Sequence, residues 1–242
     1  MTNFLRCQLP VAAFLGIMLC STPARADVCD LSVSKTTCDP LSFGGAYYTS
    51  VLPSGTLSVD PFLQLKAVGT ESGYNTSGLL LSDVPLVTIG TVEYREFLLY
   101  IDEPGNDPMI SLDQLQVFLS PSATINTYNA TTKTLGGLTA IYDLDSAGDD
   151  WIKLSYKLSK TSGPGAMIVY IPNYLFTQSG GQYVYLYSQL GSNLPSGGGM
   201  EEWWVRSTTG SQTITRVPEP GLLLLFGTAS VWAGRRLRKR FQ

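Results

Sequence analysis

The 242 residues include no histidine, and the residues whose types and spacing stand out for chemistry or binding are carboxylates, tyrosines and tryptophans. That absence excludes a Ser-His-Asp triad, a Cys-His pair, a His-ligated zinc and an imidazole general base. A glycosidase built on two carboxylates needs none of these. Candidates for such a pair are Glu93, Glu96, Asp102, Glu103, Glu201 and Glu202, and no spacing among them selects two. The chain is therefore expected not to be an enzyme, with a carboxylate-only glycan-active enzyme as the remaining catalytic reading.

Two further constellations bear on binding. In Asp143-Leu144-Asp145-Ser146-Ala147-Gly148-Asp149-Asp150, oxygen ligands recur at alternate positions and Gly148 stands where an EF-hand loop turns. Ala147 then falls on a ligand position and Leu154 on that of the bidentate Glu, so the EF-hand pattern fails. Two readings stay open. One is a calcium loop between strands, using Asp143, Asp145, Asp149 and Asp150 with Asp102 or Asp107 from another loop; the other is a solvated turn. No other cofactor is expected. In Tyr183-Val184-Tyr185-Leu186-Tyr187, strand alternation puts three tyrosines on one face and Val184 and Leu186 on the other. Tyr183, Tyr185 and Tyr187 would form an outward row able to stack on sugar rings, or would pack as cross-strand partners. Trp203 and Trp204 must point to opposite faces of a strand, so one ring would turn inward and Trp204 could join the tyrosine row.

The elements that position these groups read as strands. In Ile152 to Leu158, the residues Ile152, Leu154, Tyr156 and Leu158 alternate with Lys153, Ser155 and Lys157. Leu57 to Ala67 alternates similarly, with Pro61 marking an edge or a break. Further strands are expected at Leu86 to Ile89, Glu93 to Asp102, Leu115 to Ser120, Thr139 to Leu144, Ala166 to Ile171, Tyr183 to Gln189 and Glu202 to Arg206. Gly- and Pro-rich turns separate them, among them Gly163-Pro164-Gly165 and Gly197-Gly198-Gly199. No long segment has helical periodicity. The pattern predicts an all-β, antiparallel β-sandwich or jelly-roll-like single domain over residues 27–216.

The two ends differ from this body. Residues 1–26 combine Arg6, an apolar run from Leu9 to Cys20, and Ala24-Arg25-Ala26 ahead of Asp27. This is the layout of a secretory signal peptide cut after Ala26, and a lipoprotein anchor at Cys20 is disfavoured by Leu19 before it. The remaining cysteines, Cys29 and Cys38, would then meet an oxidising compartment. A disulfide closing so short a loop contributes about 2–3 kcal/mol. Between the two ends, nine basic residues face eighteen acidic ones, a net charge of −9 that disfavours nucleic acid as a partner.

Residues 217–242 read VPEPGLLLLFGTASVWAGRRLRKRFQ. The apolar part, 221–234, would be a short transmembrane helix of roughly 21 Å, less than the roughly 30 Å hydrocarbon core. Arg235, Arg236, Arg238, Lys239 and Arg240 would hold its far end in the cytoplasm, leaving the body outside. Pro218 and Pro220 keep the helix from extending upstream.

The order of Pro218-Glu219-Pro220, a Leu-rich segment and a terminal basic cluster resembles the PEP-CTERM sorting signal, with Gly221 where that family more often has Ser or Thr. The resemblance implies export by a Gram-negative bacterium and processing by an exosortase during transient residence in the inner membrane. The expected destination is the cell surface or an exopolysaccharide matrix. There the body would be structural or adhesive, or a carbohydrate-binding module with extracellular polysaccharide as partner. The segments Leu112 to Phe118, Tyr142 to Asp145, Asp150 to Leu154, Tyr183 to Gln189 and Glu201 to Val205 also resemble uncharacterised domains that accompany this tail. That similarity implies a shared domain over roughly residues 90 to 210 and supplies no catalytic residues. Asn75-Thr76-Ser77 and Asn129-Ala130-Thr131 have glycosylation spacing, which carries little weight under a bacterial origin.

Overall fold

The computed structural model describes residues 27–38, 40–50, 61–159, 167–177, 180–206 and 212–214. Ala24 and Ala26 lie outside the described residues, as do Pro218, Glu219, Pro220, the apolar segment and the basic cluster after it. Among the described residues no helix is long and apolar enough to cross a membrane.

The body is all-β. Two seven-stranded sheets dominate it, antiparallel except for one parallel pair at an edge of each. The first runs Val28–Asp30, Trp151–Ser155, Met109–Ser120, Tyr183–Leu190, Glu71–Tyr74, with Tyr142–Asp143 and Leu79–Leu80 added alongside. The second runs Gln212–Ile214, Leu86–Ile89, Val92–Tyr100, Met167–Pro172, Tyr47–Thr49. Glu201–Trp204 joins its Val92–Tyr100 strand and in turn pairs with Leu63–Leu65.

Alternation explains why these segments pair as they do. Leu115, Val117, Val184 and Leu186 from the first sheet share one buried cluster with Phe97, Leu99, Val169 and Trp203 from the second. Each such side chain, taken fully out of water, contributes roughly 1.5–3 kcal/mol. The opposite faces are apolar too. Tyr94, Leu98, Ile168 and Tyr170 form a second cluster outside the second sheet, and Phe118, Tyr185 and Tyr187 a third outside the first. A three-stranded antiparallel unit, Tyr128–Asn129, Thr134–Leu135 and Leu138–Thr139, packs Leu135 and Leu138 into that third cluster.

Several sequence expectations change, among them the strand expected at Thr139 to Leu144, which divides into Leu138–Thr139 and Tyr142–Asp143 in different sheets. The strand expected over Ile152 to Leu158 ends at Ser155, and a helical turn, Tyr156–Ser159, follows. Its partner strand begins at Met109, opposite Ser155, and the next position is Pro108, which has no N–H to extend the ladder. Tyr156 N makes the last contact, donating to Pro108 O at 2.8 Å. The strand expected at Leu115 to Ser120 starts earlier, at Met109. Its inward residues are Ile110 and Leu112, then Leu115, Val117 and Leu119. That change of phase marks a β-bulge at Asp113, opposite the register shift between Gln189 and Leu190.

Asp113 turns the irregularity into a joint. Its carboxylate accepts from Ser111 Oγ at 2.9 Å, Ser192 N at 2.7 Å, Asn193 N at 3.1 Å and Asn193 Nδ2 at 2.7 Å. The loop after Tyr183–Leu190 is thus tied to the strand beside it. Cys29 and Cys38 stand at disulfide distance, with Cα atoms 5.7 Å apart. Asp113→Ala strips the 191–194 turn of its acceptor and is expected to lower stability by about 2–4 kcal/mol. Urea denaturation checks this through the midpoint at constant slope.

Candidate functional site

The tyrosine row lies on the face the alternation predicts, opposite Val184 and Leu186, but it is not an outward platform. Tyr185 is 0% and Tyr187 6% exposed. Tyr128 lies flat on Tyr187, with ring centroids 3.9 Å apart and planes inclined by 11°. Its hydroxyl donates to Gln116 Oε1 at 2.7 Å, and Tyr185 donates to Ser122 O at 2.7 Å. The reason is physical: a strand that is apolar on one side and aromatic on the other leaves two faces to cover. The segment following Met109–Ser120 covers the second.

Trp203 turns inward, fully buried, and Trp204 outward, as adjacency requires. Trp204 packs on the outer cluster of the second sheet, so it lies on the opposite side of the core from Tyr183, Tyr185 and Tyr187. The two halves of the expected glycan surface do not meet.

The acidic run is divided among protein partners. Asp143 accepts from Gln116 Nε2 at 2.9 Å and from Asp145 N at 3.1 Å. Asp145 pairs with Lys133 Nζ at 3.1 Å, and burial lifts its carboxyl to about 6 against the pull of that lysine. Asp149 is exposed, and Asp150 is buried against Asp27 N. Among the described residues no three His, Cys, Asp or Glu side chains are placed to hold a metal ion.

The carboxylate candidates separate in the same way. Glu93 accepts from Asn173 and Glu202 from Gln64, both at exposed positions. Glu96, wholly buried on the outer face of the second sheet, is held by Arg206 through two nitrogens. Burial pushes its carboxyl up, and Arg206 opposes that shift.

Glu103 and Glu201 do come together, and Glu71 joins them. The three are 1%, 0% and 4% exposed. Glu201 begins a strand opposite Leu65; Glu71 begins another, with Ala67 N donating to its Oε2 at 2.8 Å; Gly197 N donates to Glu103 Oε2 at 2.7 Å. The glycine run allows this closeness. A Cβ on Gly199 would stand 1.6 Å from Asp102 O, and one on Gly197 2.9 Å from Glu103 Oε2. Glu71 Oε1, Glu103 Oε1 and both oxygens of Glu201 have no well-formed hydrogen bond. Burial first, then the adjacent Glu71 carboxyl and the Glu103 charge, push Glu201 up to about 10. The cluster therefore keeps a proton at neutral pH. Sealed from solvent, it gives no substrate access to a paired acid and base. Glu71 was hidden in a Gly- and Thr-rich stretch that reads as loop.

A cavity of about 360 Å³ opens beside the disulfide, lined by Asp27, Asp30, Thr36, Thr37, Ser42 and Phe43. No family model, no curated protein and no solved structure matches this chain.

Glu201 binds a proton in the folded state that the unfolded chain releases near the ordinary carboxylate range, so its contribution to stability falls as pH rises from there toward 10. Glu201→Gln is expected to stabilise the protein at pH 8 by about 1–3 kcal/mol and to flatten its pH–stability profile. Thermal melts from pH 5 to 9 read this. Tyr185→Ala is expected to cost about 3–5 kcal/mol, and Tyr185→Phe only about 1 kcal/mol. Equal effects on denaturant midpoints would contradict the covered row.

Proposed function

We propose that the protein is exported and sorted by an exosortase to the cell surface or an exopolysaccharide matrix, where its body serves a structural or adhesive role. The observation that carries this reading is the pairing of two end signals in one chain: the small-x-small site at Ala24 and Ala26, and Pro218-Glu219-Pro220 followed by an apolar segment and five basic residues. The inner membrane is a transient partner, and extracellular polysaccharide is the surrounding one. The body is a jelly-roll-like antiparallel β-sandwich, a reading supported by two sheets around one shared core. A cysteine pair at disulfide distance suits an oxidising destination. The covered tyrosine row and the sealed carboxylates favour bulk matrix function over a single glycan site or a glycosidase.

Intact mass of the protein recovered from the producing cells reports both ends at once. The expected product begins at Asp27, lacks the tail beyond the Pro218 region, and retains a disulfide. Replacing Glu219 and Pro220 by alanine is expected to leave the tail attached and the protein in the membrane fraction. Recovery of the full chain from the cytoplasm would overturn the proposal.

A further inference from the structure

Asp150, against the first described residue of the body, is a buried carboxylate that its partners leave half answered. It is 1% exposed, and its Oδ1 accepts from the backbone nitrogen of Asp27 at 2.7 Å. Its Oδ2 is sealed from solvent with no hydrogen-bond partner. Burial pushes this carboxyl up from its ordinary value; the Asp27 nitrogen pulls it down, and the acidic Asp27 and Asp149 side chains add to the burial effect. A peptide N–H is neutral and has one proton to give, which leaves half of a buried carboxylate unanswered.

Among the described residues, Asp27 is also the first tied into the first sheet. Trp151 N donates to Asp27 O at 3.1 Å, and Val28–Asp30 then runs parallel to Trp151–Ser155, Val28 opposite Trp151 and Cys29 opposite Ile152. The parallel contact is three residues long at a sheet edge, weak on its own, yet it carries one half of the Cys29–Cys38 pair.

We infer that Asp150 is a receptor for a processed N-terminus: cleavage before Asp27 hydrolyses the Ala26–Asp27 peptide bond and frees an α-ammonium that forms a buried ion pair with the Asp150 carboxylate. The same nitrogen then offers three protons and a positive charge where the uncut chain offers one neutral donor. Both carboxylate oxygens gain a partner, and the edge strand with its cysteine is locked to Trp151–Ser155. Lys153, the nearby cation on that strand, is engaged by Asp30 at 3.1 Å. Removal of the export segment thus completes the fold. The inference rests on the export reading above for the position of the cut.

The test is a double-variant cycle on the chain 27–242 in detergent. One form begins at a free Asp27 and the other carries an N-acetylated, and therefore neutral, Gly-Ser-Gly extension, each with Asp150 or with Asp150→Asn. With Asp150 present, the extension is expected to lower the melting temperature by about 3–8 °C. With Asp150→Asn it is expected to change little, because the charge it would break is already gone. Equal effects of the extension in both backgrounds would overturn the receptor role while leaving export intact. N-terminal sequencing of the protein recovered from the producing cells tests the cut separately. A start at Asp27 supports the inference, and a start elsewhere overturns it together with that part of the export reading.

Discussion

The structure depends on one pairing, Met109–Ser120 with Tyr183–Leu190, which carries buried apolar side chains on both of its faces. Leu186 sits opposite Val117 and points to the shared core; Tyr185 sits opposite Phe118 and points away from it. A ladder of this kind is stable only between two layers. The second sheet is one layer. The three short strands between Tyr128 and Thr139 are the other, and the aromatic contact of Tyr128 with Tyr187 is where they grip. Asn75 works in the same layer. It is 4% exposed, takes Leu186 N at 2.7 Å through its side-chain oxygen and gives its amide to Ser77 O at 2.8 Å, so its glycosylation spacing marks a structural joint instead.

How much of this was legible follows from the range of each signal. Strand existence was local: Leu86–Ile89 matches its alternation residue for residue, and Tyr183–Leu190 differs by one at its end. The opposite orientation of Trp203 and Trp204 was equally local. The cover over the tyrosines was not, since it is made of two-residue strands in a stretch rich in Thr, Ser and Asn that carries no periodicity. The bulge at Asp113 broke alternation at the very place where the strand is longest, which hid Met109 to Gln114. The carboxyl cluster is assembled from the starts of two strands and one loop, all distant in sequence, so no spacing rule could have selected Glu71, Glu103 and Glu201 together.

Buried charge is handled in two opposite ways on one scaffold. Glu96 has Arg206, itself 5% exposed, and the two form a closed pair with a fork of nitrogens on two oxygens. Removing either partner would strand the other, which makes the pair costly to break without making it a large net source of stability. Glu201 has no cation and stays neutral by keeping its proton. The formal charge of the body, −9, therefore overstates what the surface presents at neutral pH.

The tail carries five basic residues and one acidic residue, so while attached it offsets much of the body's negative charge. Under the proposed sorting those bases would lie beside the membrane, where each Lys or Arg contributes roughly 1 kcal/mol of attraction to an anionic surface. Cutting near Pro218, as proposed, would remove the apolar segment and that attraction in one step. The acidic body that remained would be repelled by an anionic surface. Release after the proposed sorting would then need no separate conformational change: the charge distribution along the chain would favour departure once the tail was gone.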